Sequence, residues 1–262
     1  MSLTKLSRRA VVKSLTAGLP LAAVLADPKL ARAASAGLEP VAIDTAGGHQ
    51  VRAALAMPDT LPAPAIMLIH EWWGLNDQIK AVAAKFAALG YMGLAVDLFG
   101  GKTAGSSEEA QALVDAVAPE VATETLVAWL RWLKEHEQAT GSVAVIGWCF
   151  GGTWALNASV AEPVDATVIY YGQVNKPAAQ LAQLRGPVLG HFATRDQWIN
   201  AAMVSAFEAA MREADRPYTT HWYDAEHAFA NPTGARYDAA DADLAWSRTT
   251  AFLDQHLGPD GP

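Results

Sequence analysis

Residues 142–153 read Ser-Val-Ala-Val-Ile-Gly-Trp-Cys-Phe-Gly-Gly-Thr, and few folds accommodate such a run. Ser142–Ile146 has the apolar continuity of a strand buried on both faces. It passes through Gly147-Trp148-Cys149-Phe150-Gly151-Gly152 into a helix that starts near Gly151. A strand that becomes a helix over so few residues must bend sharply, with glycine wherever a Cβ would strike neighbouring backbone. The residue at the bend, Cys149, is held in strain above the sheet. A lone cysteine is ordinarily a small buried hydrophobe. At the apex of strand, turn and helix it sits where a nucleophile belongs, at a helix N-terminus whose dipole favours a thiolate. Cys149 is the chain's one cysteine, so no intramolecular disulfide or Cys-rich zinc site competes for it.

The rest of the chain alternates strand and helix around this segment. Val41–Ala46 and Val51–Met57 read as an opening hairpin about Gly47-Gly48. Buried strands are expected at Ala65–His70, Tyr91–Val96, Ala166–Tyr171, Pro187–Phe192 and Thr219–Tyr223. Helices are expected at Gln78–Leu89, Glu108–Val117, Glu120–Glu137, Ala178–Leu184, Ala201–Ala214 and Tyr237–His256. The alternation predicts an α/β fold, a mainly parallel sheet with helices on both faces and right-handed crossovers. No Pro/Ser-rich linker interrupts it, so residues 37–262 read as a single domain.

A cysteine nucleophile needs a base and a group to orient that base. Ligand sites in open parallel sheets lie at the carboxyl ends of the strands. Asp196 falls in the loop after Pro187–Phe192 and His227 in the loop after Thr219–Tyr223, in the order nucleophile, acid, histidine that follows such elbows. His191 and His221 lie inside strands, Asp165 opens a strand at the opposite edge, and Asp224 would have to double back on a near neighbour. His70-Glu71-Trp72-Trp73-Gly74 ends an earlier strand at the same edge. Its loop and the residue after the nucleophile are the expected sources of two oxyanion-binding amides, the backbone N–H groups of Trp72 and Phe150. Glu71 is then a carboxylate in a tryptophan-lined pocket, costly to hold there without a partner.

The chain resembles the dienelactone hydrolase family of α/β-hydrolases over residues 38–257. The resemblance rests on His70-Glu71-Trp72-Trp73-Gly74-Leu75-Asn76, Val96-Asp97-Leu98-Phe99, Gly147–Gly152 with its central cysteine, Asp196, and His227-Ala228-Phe229-Ala230-Asn231. It implies an α/β-hydrolase fold and cleavage of a lactone or ester with Cys149 as nucleophile, His227 as base and Asp196 as its orienting acid. By the same resemblance Glu71 contacts the thiol at rest and is displaced by substrate. Trp73, Phe99, Lys102, Trp148, Trp198 and Asn231 are the residues expected around the substrate. The chain departs from the family where arginines would hold a substrate carboxylate: Gly100-Gly101-Lys102 and Asn231 stand there instead. Lysine or an amide does not replace a bidentate arginine without loss; Lys102 and Arg236 are the cations available to compensate in part, and sequence places neither. Neutral substrates with apolar or aromatic acyl groups are therefore expected to outperform free carboxylates. No zinc-ligand spacing or phosphate-binding loop occurs, and the reaction as read needs no cofactor.

The first 36 residues read as an address. Ser7-Arg8-Arg9-Ala10-Val11-Val12-Lys13, an apolar stretch from Ser14 to Ala26 and Ala-x-Ala spacing at residues 31–36 have the parts of a secretory signal, of twin-arginine type. The apolar stretch is too short to span a membrane. Six of the 19 basic residues and one of the 27 acidic residues lie in 1–36, so the remainder holds 13 against 26, a formal −13 where the whole chain has −8. Such a surface disfavours nucleic acid and anionic lipid. The expected partners are thus the export machinery and a small ester or lactone, and the expected location is periplasmic or extracellular. Two alternatives share this sequence: a non-catalytic binding protein on the same scaffold, and a thioesterase or peptidase of the same fold.

Overall fold

The computed structural model describes residues 19–258. Among these, eight strands form one sheet: β1 (Glu39–Asp44), β2 (Gln50–Ala56), β3 (Ala63–Ile69), β4 (Met92–Val96), β5 (Ala139–Trp148), β6 (Ala166–Tyr170), β7 (Val188–Ala193) and β8 (Tyr218–Tyr223). Their order is β1-β2-β4-β3-β5-β6-β7-β8. The β1–β2 hairpin is antiparallel and joins β4 antiparallel; all pairings from β4 to β8 are parallel. The nine helices of the described residues are α1 (Leu21–Ala26), α2 (Pro28–Ser35), α3 (Asp77–Ala88), α4 (Ser107–Asp115), α5 (Pro119–Glu135), α6 (Phe150–Ala161), α7 (Ala178–Leu181), α8 (Ala201–Glu213) and α9 (Ala239–Leu257).

Side chains alternate across a strand, and here both faces are covered. Ile66, Leu68, Ala144, Ile146 and Val168 pack with Ile79, Val82 and Phe86 of α3 and Leu253 of α9. Met67, Ile69, Val143 and Val145 pack on the other face with Leu126, Trp129 and Leu133 of α5 and Trp154 of α6. This two-sided burial is why the central strands are continuously apolar in sequence. The helix predictions hold to within a few residues. The largest strand difference is β5, read as Ser142–Ile146 but extended through Trp148, because Gly147 pairs with Ile69 and Ile169 and Trp148 with Tyr170.

The strand order reverses at β3: β4 lies on one side and β5 returns on the other. In open parallel sheets such a switch leaves a crevice at the carboxyl edge. The loops after β3 and β5, which carry Glu71 and Cys149, face each other across it. Asn76 fixes the far end of the first loop by capping α3, its side chain accepting from the Gln78 and Ile79 amides; such a cap is worth about 1 kcal/mol.

The Arg8-Arg9 pair lies outside the described residues. Residues 19–36 do not: α1 and α2 lie against the domain, with Val24, Leu25, Ala31 and Ala34 buried among residues of α3 and α9. Asp27 caps α2. The Gln78 side-chain amide donates to the Leu25 carbonyl at 3.3 Å and the Ser35 hydroxyl to Asp77 at 2.8 Å. No described helix is long and apolar enough to cross a membrane.

Candidate active site

Cys149 sits at φ 52°, ψ −115°, left-handed backbone that a non-glycine residue adopts only when its surroundings enforce it. Two contacts do so. Its N–H donates to the Tyr170 carbonyl at 2.9 Å, and its carbonyl accepts from Thr153 N–H at 3.2 Å. The flanking glycines are required by crowding: a Cβ on Gly147 would lie 2.0 Å from the Gly151 carbonyl oxygen, and one on Gly151 2.2 Å from that of Ile69. Neither obstacle is a side chain that can move aside.

Asp196 follows β7, and one of its oxygens accepts from the Trp198 and Ile199 amides at 2.8 and 3.0 Å. The other faces His227 Nδ1 at 2.6 Å. A carboxylate there accepts, so Nδ1 carries the proton and Nε2 presents a lone pair to Cys149 Sγ at 3.1 Å. Two bonds tie the loops after β7 and β8 together: Thr194 N–H to the Tyr223 carbonyl at 2.9 Å, and Arg195 N–H to that of Ala225 at 3.0 Å. Burial pushes the Asp196 carboxyl up, but His227 and the two amides outweigh it and hold the group below the ordinary aspartate value. The rejected candidates are engaged elsewhere. Asp224 pairs with Arg195 at the surface, Asp165 accepts from the Val143 amide, and buried His191 meets Tyr223 and Thr249.

The pull of the helix start toward a thiolate is present at Cys149 but is not the largest influence there. Burial, then the Glu71 charge, pushes the Cys149 thiol up to about 12, against which the Phe150 amide at the helix start pulls only weakly. A single helix-end amide does not offset removal from water plus a like charge. Burial and the Glu71 charge thus oppose the thiolate that the helix start favours.

Glu71 is buried, and its carboxylate accepts from the Asn231 amide at 2.6 Å and, more weakly, from the Tyr171 hydroxyl at 3.4 Å. Burial raises its pKa, with the Asn231 bond opposing. The preceding His70 is fixed as the neutral tautomer: Nδ1 donates to the Glu71 carbonyl at 2.6 Å, and Nε2 accepts from Leu98 N–H at 3.1 Å. It thereby joins the loops after β3 and β4. Trp72 lies in the turn after β3. Phe150 is the first residue of α6, so its N–H has no acceptor within the helix.

The residues expected around a substrate divide. Trp198 is 57% exposed, with its ring 5.2 Å from that of His227, a true rim position. Trp73 is half-buried against Trp72. Phe99 is instead core, buried against His70 and Phe150, and Trp148 is buried against Tyr170. Asn231 has its donor committed to Glu71 and its oxygen to Thr233. Lys102 is exposed in the loop after β4. One residue escaped the sequence reading. Tyr171, with φ 40°, follows β6 beside the elbow and touches both Glu71 and the His227 ring; its place at the carboxyl edge of the neighbouring strand was the available signal. Arg236, one of the two cations the sequence offered in place of the missing arginines, holds its guanidinium 5.2 Å over the Trp198 ring, and its charge is felt at Cys149 and Glu71.

A thiol, an oriented imidazole and amides at a helix start together suit acyl transfer to sulfur. The comparisons place the chain among ester and lactone hydrolases. The chain is 27% identical over 226 residues to carboxymethylenebutenolidase of Pseudomonas putida, covering 82% of this chain and 95% of that protein. It is 29% identical over 225 residues to carboxymethylenebutenolidase of Pseudomonas sp. strain P51, covering 82% and 94%. The crystal structure of a dienelactone hydrolase-like promiscuous phosphotriesterase from metagenomic libraries shares the fold at a TM-score of 0.76 and 22% identity, over 84% of this chain and 99% of that one. Residues 51–257 match the model of the dienelactone hydrolase family, to which this chain therefore belongs.

Proposed function

We propose that this ester or lactone hydrolase works through an acyl-cysteine intermediate, with Cys149 as nucleophile, His227 as general base and acid, and Asp196 as the group that orients His227. The observation that carries the reading is the unbroken hydrogen-bond chain from Asp196 through His227 to the thiol at the carboxyl edge of the sheet. His227 Nε2 takes the thiol proton as sulfur attacks the substrate carbonyl carbon. The tetrahedral oxyanion is held by the Trp72 and Phe150 N–H groups. Collapse breaks the C–O bond, and the imidazolium returns the proton to the leaving alkoxide, which stays tethered when the substrate is a lactone. His227 then takes a proton from water, hydroxide adds to the thioester, and the sulfur leaves and is reprotonated. By family resemblance Glu71 swings away when substrate binds. That relieves the like charge beside sulfur at the moment it must become anionic.

The arginine pair that would clamp a substrate carboxylate is absent, and one exposed guanidinium, Arg236, adds a weak, salt-screened pull. Neutral esters and lactones are the favoured class. The test is acid-quenched turnover of a slow aryl ester followed by mass spectrometry. The acyl group should be found on the peptide bearing Cys149, whereas a binding protein carries none and a serine-type mechanism labels another residue.

We also infer that residues 1–36 are an export leader of twin-arginine type, supported by Arg8-Arg9, the short apolar stretch and the Ala-x-Ala spacing. Changing Arg8 and Arg9 together to lysine should leave the protein in the cytoplasm by cell fractionation; unchanged delivery across the membrane rejects this type of signal.

A further inference from the structure

A cavity of about 340 Å³ opens between α3 and α9 and reaches Glu71. Its walls are mostly apolar, with Ile79 and Val82 on one side, Trp246 on the other and Trp148 beneath, and Gln78, Lys85, Tyr237 and Asp243 add polar groups along the α3 and α9 sides. Glu71 and Tyr171, bonded to each other, stand at its inner end, and Glu71 is the carboxylate whose charge bears on the Cys149 sulfur. The roof is formed by Pro20, Leu21, Ala22 and Leu25, from the segment that ends in α1. The volume is at the small end of the roughly 300–1,000 Å³ found for small-molecule sites, and apolar walls with a few polar groups are their usual composition. A charged ligand would be costly to bury between Trp148, Trp246 and Val82, whereas a neutral hydrocarbon group would not. The roof is held from one side: Val24, Leu25, Ala31 and Ala34 are its buried anchors, Lys85 and Gln78 of α3 donate to the Leu19 and Leu25 carbonyls at 3.3 Å each, and Leu21 and Ala22 are only partly covered.

We propose that this cavity is the subsite for the apolar acyl part of a neutral ester or lactone, and that residues 19–26 are its detachable roof. The connection to the reacting carbonyl rests on the acyl-cysteine reading, because displacement of Glu71 is what joins cavity and sulfur; occupancy of the cavity does not. A chain that carries the segment admits long acyl groups poorly, and one that has lost it admits them freely. Each methylene moved from water into such a site favours binding about fourfold, so chain length is the sensitive variable.

The experiment uses the full chain with Val24→Asp and Ala31→Asp, which place carboxylates under the anchors and leave the lining residues unchanged. With p-nitrophenyl esters, kcat/KM for the octanoate should rise at least tenfold over wild type, while the acetate stays within about twofold. Adding Val82→Trp fills the cavity and should cancel the gain. Ala22→Trp in the otherwise wild-type chain fills it from the roof, without touching α3, and should depress the octanoate alone. Octanamide binding to the roof-dislodged chain with Cys149→Ala, followed by calorimetry, reads the cavity without chemistry and should be lost on adding Val82→Trp. Equal responses of acetate and octanoate, or octanamide binding that is absent or indifferent to Val82→Trp, overturn the subsite. Failure of the covalent reading looks different: activity survives Cys149→Ala while octanamide binding follows the cavity.

Discussion

Replacing Cys149 with alanine should lower kcat/KM for aryl ester hydrolysis by at least about 10⁴-fold, leaving only what the oxyanion amides and binding supply. The fold should survive, because Cβ and its backbone contacts are retained and the left-handed conformation is imposed by Tyr170 and Thr153. Serine at the same position should recover little. Its hydroxyl is far less acidic than a thiol, and the nearby Glu71 charge opposes any anion formed there. Steady-state kinetics on the three proteins, with circular dichroism to verify folding, decides the matter. Turnover by the alanine variant within tenfold of wild type would falsify Cys149 as the nucleophile.

Asp196→Asn should cost about 10³–10⁴-fold in kcat with little change in KM. An asparagine amide turned toward Nδ1 donates where the carboxylate accepted, so the proton moves to Nε2 and the lone pair facing sulfur is lost. The same substitution has a pH signature. The Asp196 carboxyl is held below its ordinary value in the folded chain, so its stabilising contribution is complete above the unfolded value of about 3.9 and disappears as pH falls through the lower, folded one. Wild-type Tm should therefore fall more steeply than that of the asparagine variant as pH drops from about 5 into this range. Parallel Tm curves, or a kcat loss below tenfold, would show that Asp196 does not orient His227.

Most of the fold was legible because both sheet faces are covered, and two-sided burial writes itself as unbroken runs such as Ile66–Ile69 and Val143–Ile146. The elbow was legible for a steric reason: Gly147 and Gly151 stand where backbone leaves no room for a Cβ. Asp196 and His227 followed from chain order and the rule that loops at strand ends carry the site. What escaped depends on tertiary distance. Phe99 looks like a pocket aromatic in the sequence, yet it is buried because His70 and Phe150 pack on it, whereas Trp148 packs on Tyr170 and still lines the cavity behind Glu71. Asn231 was read as the place of a missing clamp, and the structure binds its amide to Glu71, 160 residues away in the chain. The pull of the helix start on Cys149 was legible, but the burial and the Glu71 charge that oppose it were not, because local sequence announces a helix start and not the depth of burial above it.

The push on the Cys149 thiol bears on durability. Peroxides and disulfides react with thiolates, and susceptibility follows thiolate character and exposure. Burial and the Glu71 charge both disfavour the Cys149 thiolate, and its side chain is partly covered. The features that hold back the nucleophilic form of the sulfur therefore also hold back the form that oxidants attack.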